Sequence, residues 1–264
     1  MSKKKATPTK AAPTKSVSAK GGNLIRTKGM GMSIKLFKHS GVDLTSSQIA
    51  TMLKASPYSP KNPNSIETGF SNVSSTAKSV TADFAAGFRV PVLIMGKDGA
   101  LTPVHYVSVD RGTAVIKLDR GTIEVRGSER IARKFRSLFE EMTGAKITPL
   151  NLNGGTMKLY NSAADIASVL LTNVEKGNIT QAEFRGQGIQ REEDIGMYTR
   201  RYKGQISRFR GTFPYPSGAL LTTSVNAEVG SLMVYRGGEG ILEKDLNWIV
   251  ELMEDSALEQ GQHN

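Results

Sequence analysis

A repeated tetrapeptide constrains the fold of this chain more than any other feature. Asp110–Thr113 and Asp119–Thr122 share the sequence Asp-Arg-Gly-Thr. Asp and Gly favour turns, because the Asp side chain hydrogen-bonds nearby backbone and Gly tolerates a positive φ angle. Segments typical of strands flank both copies, so each copy is predicted to be a turn in a β-meander. The predicted strands are Val104–Val109, Ala114–Leu118 and Thr122–Arg126.

A helix is predicted directly after this meander, over residues 129–143. Ser128 is suited to cap its N-terminus, and Gly144 stands where a left-handed C-cap belongs. Apolar residues recur at a spacing of three and four, as in a helix that packs on a core. They are Ile131, Phe135, Leu138, Phe139 and Met142.

The segment before the meander is predicted to hold a strand and a short helix. Ser33–Lys38 alternates between polar and apolar residues, which is typical of a strand. Thr45 or Ser46 can cap the helix that follows. The apolar face of that helix holds Ile49, Met52 and Leu53. Residues 56–80 are rich in Ser, Thr, Asn and Pro, which indicates a functional loop or a mobile insertion.

The second half of the chain repeats this order loosely. Met157–Tyr160 is predicted as a strand and residues 163–176 as a helix. Further strands are predicted at Ile179–Arg185, Ala219–Val225 and Ser231–Arg236, and a last helix at about 241–258. The predicted fold class is therefore α+β, with two modules that each consist of an antiparallel sheet closed by an amphipathic helix. The predicted domains are residues 23–150 and 151–264, after a tail at 1–22.

The tail is predicted to be disordered, because Lys, Ala, Thr, Pro, Ser and Gly cannot form a core. The chain has a net charge of +11, and residues 1–30 contain eight cations and no carboxylate, so the body is only mildly basic. Such a tail is typical of a diffuse nucleic-acid contact, a localisation signal or a solubility device. Its lack of acids is also similar to an organelle transit peptide, so organelle import is an alternative.

The composition excludes several classes of function. The chain has no Cys, which excludes disulfides and thiolate chemistry. The absence of Cys suits the cytoplasm or another reducing compartment. If the protein is viral, that compartment is predicted to belong to the host cell. No apolar run is long enough for a transmembrane helix, and no signal peptide is predicted. The three His lack partners at metal-ligand spacing, and no nucleotide-binding or nucleophile motif follows a strand. We therefore predict no enzyme activity, no metal and no cofactor.

The stretch from Met197 to Tyr215 combines five cations and five aromatic rings with no carboxylate. Gly204-Gln205 has the form of a type II′ turn, which predicts a β-hairpin. Alternation along its strands would put the cations on one face and most of the rings on the other. The basic face would hold Arg201, Lys203, Arg208 and Arg210, and the aromatic face Tyr198, Tyr202 and Phe209 with Arg200 among them.

This pattern predicts binding to a single-stranded nucleic acid. A row of cations suits phosphates, and exposed rings suit unstacked bases. Four phosphate contacts would give a log–log salt slope of about −3. The alternative is an exposed hairpin whose rings pack on the core and whose cations are solvated. A second basic patch is predicted on the outer face of the helix at 129–143, at Arg130, Arg133, Lys134 and Arg136.

The order of sheet and helix, used twice in a basic chain without Cys, resembles the whirly-type fold of single-stranded nucleic-acid-binding proteins. It is also similar to RNA-binding proteins that large tailed phages make early in infection. The resemblance rests on residues 104–126 with the helix at 129–143, and on residues 197–236 with the helix at 241–258. It implies a single-stranded nucleic acid as ligand. The chain lacks the Lys-Gly-Lys-Ala type motif of that family, for which Arg26–Gly29 is the nearest stretch.

The predicted function is thus non-catalytic, weakly sequence-specific binding of single-stranded RNA or DNA, with RNA favoured. The alternative is a viral or phage structural protein, such as a matrix, capsid-associated or scaffold component. The helix at 241–258 carries many carboxylates, which could bind a basic partner or the chain's own tail. A homo-oligomer is consistent with this complementarity.

Overall fold

The computed structural model describes residues 23–25, 27, 29–62, 65–152 and 155–258. The predicted tail at 1–22 lies outside the described residues. The fold is α+β, as predicted, and its strands pair antiparallel. The strands are β1 (Leu24–Ile25), β2 (Gly31–Ser40), β3 (Thr68–Ser75), β4 (Ser79–Met95), β5 (Leu101–Lys117), β6 (Thr122–Arg126), β7 (Lys146–Pro149), β8 (Asp165–Thr172), β9 (Ala182–Arg185), β10 (Gln205–Pro214), β11 (Leu220–Asn226), β12 (Ser231–Tyr235) and β13 (Ile241–Leu242). The α-helices are α1 (Ser46–Lys54), α2 (Glu129–Thr143), α3 (Thr156–Asn161), α4 (Glu193–Arg200) and α5 (Glu243–Leu258).

One large sheet runs through both halves of the chain. Its strand order is β3-β4-β5-β6-β2-β12-β11-β10-β8-β9, with β7 also paired to β2. The short strands β1 and β13 pair separately. Because β2 lies between β6 and β12, a strand from the start of the described chain joins the sheet of the first half to that of the second.

Two hydrophobic cores lie on opposite faces of this sheet. β2 contributes to both, because alternation points Ile34 and Leu36 to one face and Phe37 to the other. The first core lies under α1 and α2 and contains Phe37, Phe70, Phe84, Phe135 and Phe139. The second core lies under α3 and α5 and contains Leu159, Phe209, Phe213, Ile249 and Met253. The division into domains at residue 150 stays a prediction, since the sheet is continuous across it.

The elements with clear caps or simple alternation are confirmed. Thr45 caps α1 in a capping box with Gln48. α2 spans the predicted residues, with its N-cap at Ser128 and its left-handed C-cap at Gly144. β2, β11, β12 and α5 lie within a few residues of the predicted bounds. The predicted loop at 56–80 is partly wrong, because it contains β3.

Gly144→Ala is expected to lower the free energy of unfolding by about 1 kcal/mol. Gly144 has a φ of +68°, and a Cβ there would meet no atom within 4 Å, so the cost comes from the left-handed backbone alone. Urea unfolding followed by circular dichroism measures it. Ser137→Ala, on the exposed side of the same helix, is the control and should change stability by less than about 0.5 kcal/mol. Equal stability of the Gly144 variant and the wild type would contradict this account of the cap.

The meander is predicted with partly wrong strands, because Val104–Val109 and Ala114–Leu118 belong to one strand, β5, and only Thr122–Arg126 is a separate strand, β6. The antiparallel neighbours of the observed meander are β4, β5 and β6. Asp119–Thr122 is the turn between β5 and β6, whereas Asp110–Thr113 lies inside the 17-residue strand β5. Gly112 is needed there for close packing, because a Cβ would lie 2.4 Å from the carbonyl oxygen of Arg126. The turn between β4 and β5 lies instead near Gly96–Ala100.

Two predicted elements at the start of the second half are wrong. Residues 157–160 lie in helix α3, whose buried Thr156, Leu159 and Tyr160 have helical spacing. The predicted helix at 163–176 is strand β8, which contains one extra residue at Ala167 relative to β10. A bulge shifts the inward side of a strand by one residue, so the buried Ile166 and Val169 lie three apart, as they would in a helix.

The helix α5 joins the two halves through buried charges. Glu254 is fully buried, and its carboxylate accepts hydrogen bonds from Lys117 Nζ at 2.9 Å and from Thr122 Oγ1 at 2.8 Å. Arg120 lies 3.4 Å from the same carboxylate and also pairs with Asp255. The carboxylates of α5 are predicted to bind a basic partner. Two of them, on Glu254 and Asp255, instead pair with Lys117 and Arg120 in the first half of the same chain. Contact with the tail lies outside the described residues.

Candidate nucleic-acid interface

The hairpin predicted around Gly204-Gln205 is wrong. The residues before it form α4, which ends at Arg200, and those after it form β10, which pairs with β8 and β11. Acidic Glu193 and Asp194 occupy the first turn of α4, where carboxylates stabilise a helix N-terminus. A Cβ at Gly204 would lie 3.0 Å from the carbonyl oxygen of Tyr198. A side chain at this position would therefore crowd the Tyr198 carbonyl, and the glycine does not form a hairpin turn.

Arg208 and Arg210 nevertheless share one exposed face of the sheet. β10 carries one extra residue between Ile206 and Arg208 relative to β8. This bulge keeps Ile206 in the second core and turns Arg208 to the opposite face, which α3 and α5 leave open. Arg210 follows two residues later on the same face, so the two positions are roughly 7 Å apart along the strand.

This open face forms a groove of about 570 Å³ across the strands of the second half. Its polar lining consists of Ser33, Lys35, Glu129, Ser168, Glu183, Arg185, Arg208, Arg210, Ser224, Asn226 and Ser231. Strand register places Arg185, Ser168, Arg210 and Ser224 in one row across β9, β8, β10 and β11. Two strand spacings separate Arg185 from Arg210, or roughly 10 Å. The groove thus presents cations at intervals among hydroxyl groups.

The cations of the groove differ in their partners. Lys35 lies 3.0 Å from Glu129, and Arg185 lies 2.7 Å from Glu183. Arg208 and Arg210 have no carboxylate within 4.0 Å among the residues that the structure describes. The Arg210 guanidinium instead lies 4.7 Å from the centre of the Tyr235 ring. These two arginines are therefore the groove cations available to an anionic ligand.

The predicted aromatic residues lie elsewhere. Phe209 is 3% exposed in the second core, with its ring 5.4 Å from that of Tyr160, so a base-stacking role for Phe209 is wrong. Tyr198 and Tyr202 are half-buried against the same core. Lys176 lies 4.8 Å and 5.1 Å from these two rings. Its hydrogen bond to the Tyr198 hydroxyl raises the pKa of Lys176.

The remaining predicted cations of the stretch do not join Arg208 and Arg210. Arg200 is exposed at the end of α4, and Arg201 lies 5.6 Å from the Tyr202 ring. Lys203 pairs with Glu175 at 2.8 Å, and this hydrogen bond raises the pKa of Lys203. The predicted basic face of four cations is thus wrong, since only two of the four share a surface.

The predicted patch on α2 is largely neutralised. Asp110 binds Arg130 through both carboxylate oxygens, at 2.6 and 2.7 Å, and this hydrogen bonding raises the pKa of Arg130. Arg130 also lies over the Phe88 ring at 4.5 Å. Arg133 and Arg136 form ion pairs with Glu129 and Glu140 within the helix, and Lys134 is exposed. Arg130 is therefore engaged in holding α2 to β5.

Sequence reasoning missed Lys35, Arg185 and Tyr235. They come from β2, β9 and β12, which are far apart in the chain and meet only through strand register. The alternation of Ser231, Met233 and Tyr235 with buried Leu232 and Val234 was the available signal for an open face on β12. No local signal connects it with β10.

The chain matches no protein-family model, and no curated protein is significantly similar to it. Within the described ranges, no group of three His, Asp or Glu side chains is arranged to hold a metal ion. No helix in the described part of the chain is long and apolar enough to cross a membrane.

Proposed function

We propose that the protein binds single-stranded nucleic acid, RNA or DNA, in the groove on the open face of the second-half sheet. Arg208 and Arg210 contact phosphates, and the ring of Tyr235, which lies beside the groove lining and against Arg210, is offered to a base. The observation that carries this proposal is the pair of adjacent arginines that lack a carboxylate partner among the described residues and line a groove of hydroxyl groups. Guanidinium groups bind phosphate through paired hydrogen bonds, and sheet faces with aromatic side chains bind unstacked bases.

The charge of the groove supports an anionic ligand. Its lining includes four cations and two carboxylates, which leaves a net charge of +2. The carboxylates belong to Glu129 and Glu183 at opposite borders, whereas Arg208 and Arg210 lie on β10 between them. A strand of nucleic acid along β10 would therefore meet positive charge and avoid both acids. The Lys-rich tail adds affinity that depends on salt and not on sequence.

Arg208→Gln with Arg210→Gln is expected to weaken binding of a fluorescent single-stranded oligonucleotide by roughly 100-fold, because each variant removes charged hydrogen bonds. The loss of two phosphate contacts should also make the log–log salt slope shallower by about 1.4. Fluorescence anisotropy at several salt concentrations measures both quantities on the full chain, with RNA, DNA and duplex of one sequence as ligands.

The control removes two charges at Arg111 and Lys146, which are exposed on the first half and lie outside the groove. The tail is intact in both variants, so its contribution cancels in the comparison. The control should keep its affinity within about threefold of the wild type and retain the salt slope. If both variants lost the same affinity, binding would depend on the total charge and the tail and not on the groove. The groove proposal would then be abandoned.

A structural or assembly role is the second candidate, and one observation favours it. The hairpin of β4 and β5 exposes large apolar side chains beyond the body of the sheet, among them Leu93, Met95 and Leu101. Exposed apolar surface of this kind marks a site of protein association. The two functions involve different surfaces and are compatible in one molecule.

A further inference from the structure

The ends of β4 and β5 form an arm that leaves the sheet. β3 pairs with β4 as far as Ala86, and β6 pairs with β5 from Thr113 onward. From the pair Gly87–Val109 to the pair Met95–Leu101, the two strands pair only with each other. We call residues 87–109 the arm. Nine paired positions give it a length of roughly 30 Å.

Both faces of the arm are apolar. Register places Val92, Ile94 and Tyr106 on the face that continues the first core, and Leu93, Met95 and Leu101 on the other. These six side chains are between 41% and 70% exposed. The three most exposed of them, Leu93, Met95 and Leu101, share one face and form an apolar patch of the kind that marks a site of association.

An arm of this kind needs a partner. A two-stranded hairpin alone is marginally stable in water, and burial of a hydrophobic face is what normally stabilises it. The segments at 1–22 and 259–264 do not suit the role of covering the arm. Residues 1–22 contain only Met1 and Val17 as large apolar side chains, and residues 259–264 are all polar apart from Gly261.

The charge distribution favours a second copy of the chain as the partner. Eight of the eleven net positive charges lie in residues 1–30, so two copies repel each other wherever their tails or basic surfaces meet. The arm is the exception, because from Val90 to Gly96 and from Gly99 to Val109 it contains no Asp, Glu, Lys or Arg. Its formal charges lie at Arg89 near the base and at Lys97 and Asp98 in the tip, where they balance locally.

We propose that the arm packs against the arm of a second copy of this chain and thereby forms a dimer. Such an interface is isologous, since the same patch is used on both copies and is complementary to itself by symmetry. Each copy buries an apolar face of its arm without bringing the basic surfaces together. The groove on the second-half sheet stays open in the dimer, because it lies at the other end of the strand order.

Sedimentation velocity of the full chain between about 1 and 100 μM tests this, in 0.5 M salt and after nuclease treatment so that nucleic acid cannot bridge copies. The wild type is expected to sediment as a dimer that dissociates on dilution. Leu93→Lys with Ile94→Lys places a charge on each face of the arm and, because symmetry doubles every change, should raise the dimer Kd by at least about 100-fold.

The control is Met157→Lys with Leu220→Lys, which adds the same charge at side chains that are 45% and 66% exposed away from the arm. It should dimerise like the wild type. A second variant replaces Val90–Tyr106 by Asn-Gly, a sequence suited to a tight hairpin turn, and should be a folded monomer by circular dichroism.

Three results would overturn the proposal. One is a wild type that stays monomeric at 100 μM. Another is a dimer that survives in both arm variants. The third is a monomer that binds vesicles of neutral phosphatidylcholine through the arm, with binding lost in the Lys variant, which would assign the arm to a lipid surface. Oligonucleotide binding is also measured for the arm variants. Because these variants leave the groove unchanged, this measurement tests the groove proposal independently of the arm proposal.

Discussion

Glu254→Ala is expected to lower the free energy of unfolding by about 3–5 kcal/mol. The carboxylate of Glu254 is fully buried and accepts hydrogen bonds from Lys117 Nζ and Thr122 Oγ1. Its removal leaves the Lys117 ammonium, itself only 19% exposed, without its closest anion. Loss of one partner from a buried ion pair costs about that much, because the remaining charge stays desolvated.

Urea denaturation with extrapolation to water measures this change. Glu251→Ala is the matched control, since Glu251 is exposed on the same helix, and it should change stability by less than about 0.5 kcal/mol. Glu254→Gln keeps a hydrogen-bond acceptor but removes the charge. Its loss of unfolding free energy should therefore lie between those of Glu254→Ala and Glu251→Ala. A loss below about 1 kcal/mol in the Ala variant would mean that α5 is not held to β5 and β6 by this contact.

Phe135→Ala is expected to destabilise the protein by about 3–5 kcal/mol. The Phe135 ring is fully buried, with ring centres of Phe84 and Phe139 at 5.6 and 5.5 Å. Truncation would leave a cavity at the centre of the first core. Leu138→Ala, on the same helix but only partly buried, is the control and should cost less than half as much.

The Phe135→Ala variant also tests whether the two cores unfold cooperatively, because Trp248 reports on the second core. Trp248 is the single tryptophan and packs on the second core, with its ring 5.2 Å from that of Tyr215. If the two cores unfold together, Phe135→Ala shifts the fluorescence transition of Trp248 as much as the transition in circular dichroism. Separate transitions would show that the halves unfold independently, contrary to the contacts of α5.

The sequence predicted those elements whose signals are local. α2 has a serine cap, helical spacing and a terminal glycine, and each of these acts within one or two turns. The prediction of a helix in place of β8 was wrong, because the bulge at Ala167 gives the buried residues of this strand the spacing of a helix. The prediction of a turn inside β5 was wrong, because Gly112 is a typical turn residue. Its role in the structure is instead to allow close approach to the backbone of Arg126. Both errors have tertiary causes that no local pattern reveals.

The candidate interface divides in the same way. Arg208 and Arg210 are two apart on one strand, so alternation alone predicted their shared face. Phe209 lies on the face opposite to both arginines, as alternation predicts, but no local signal indicated that this face packs on the second core. Arg185 lines the groove, and Tyr235 lies against Arg210 beside it, through the register of other strands. The whirly-type resemblance and RNA as the favoured ligand stay predictions.

The central place of β2 also has a consequence for how the polypeptide acquires its shape during synthesis. β2 leaves the ribosome early, but one of its neighbours, β12, is translated only after residues 41–230. Until then, the core that Ile34 and Leu36 enter lacks Leu232, Val234 and the apolar side chains of α5. Such remote pairing slows folding, because a long loop must close before the contacts form. A nascent chain would thus leave one edge of β2 unpaired until the end of the second half has been translated.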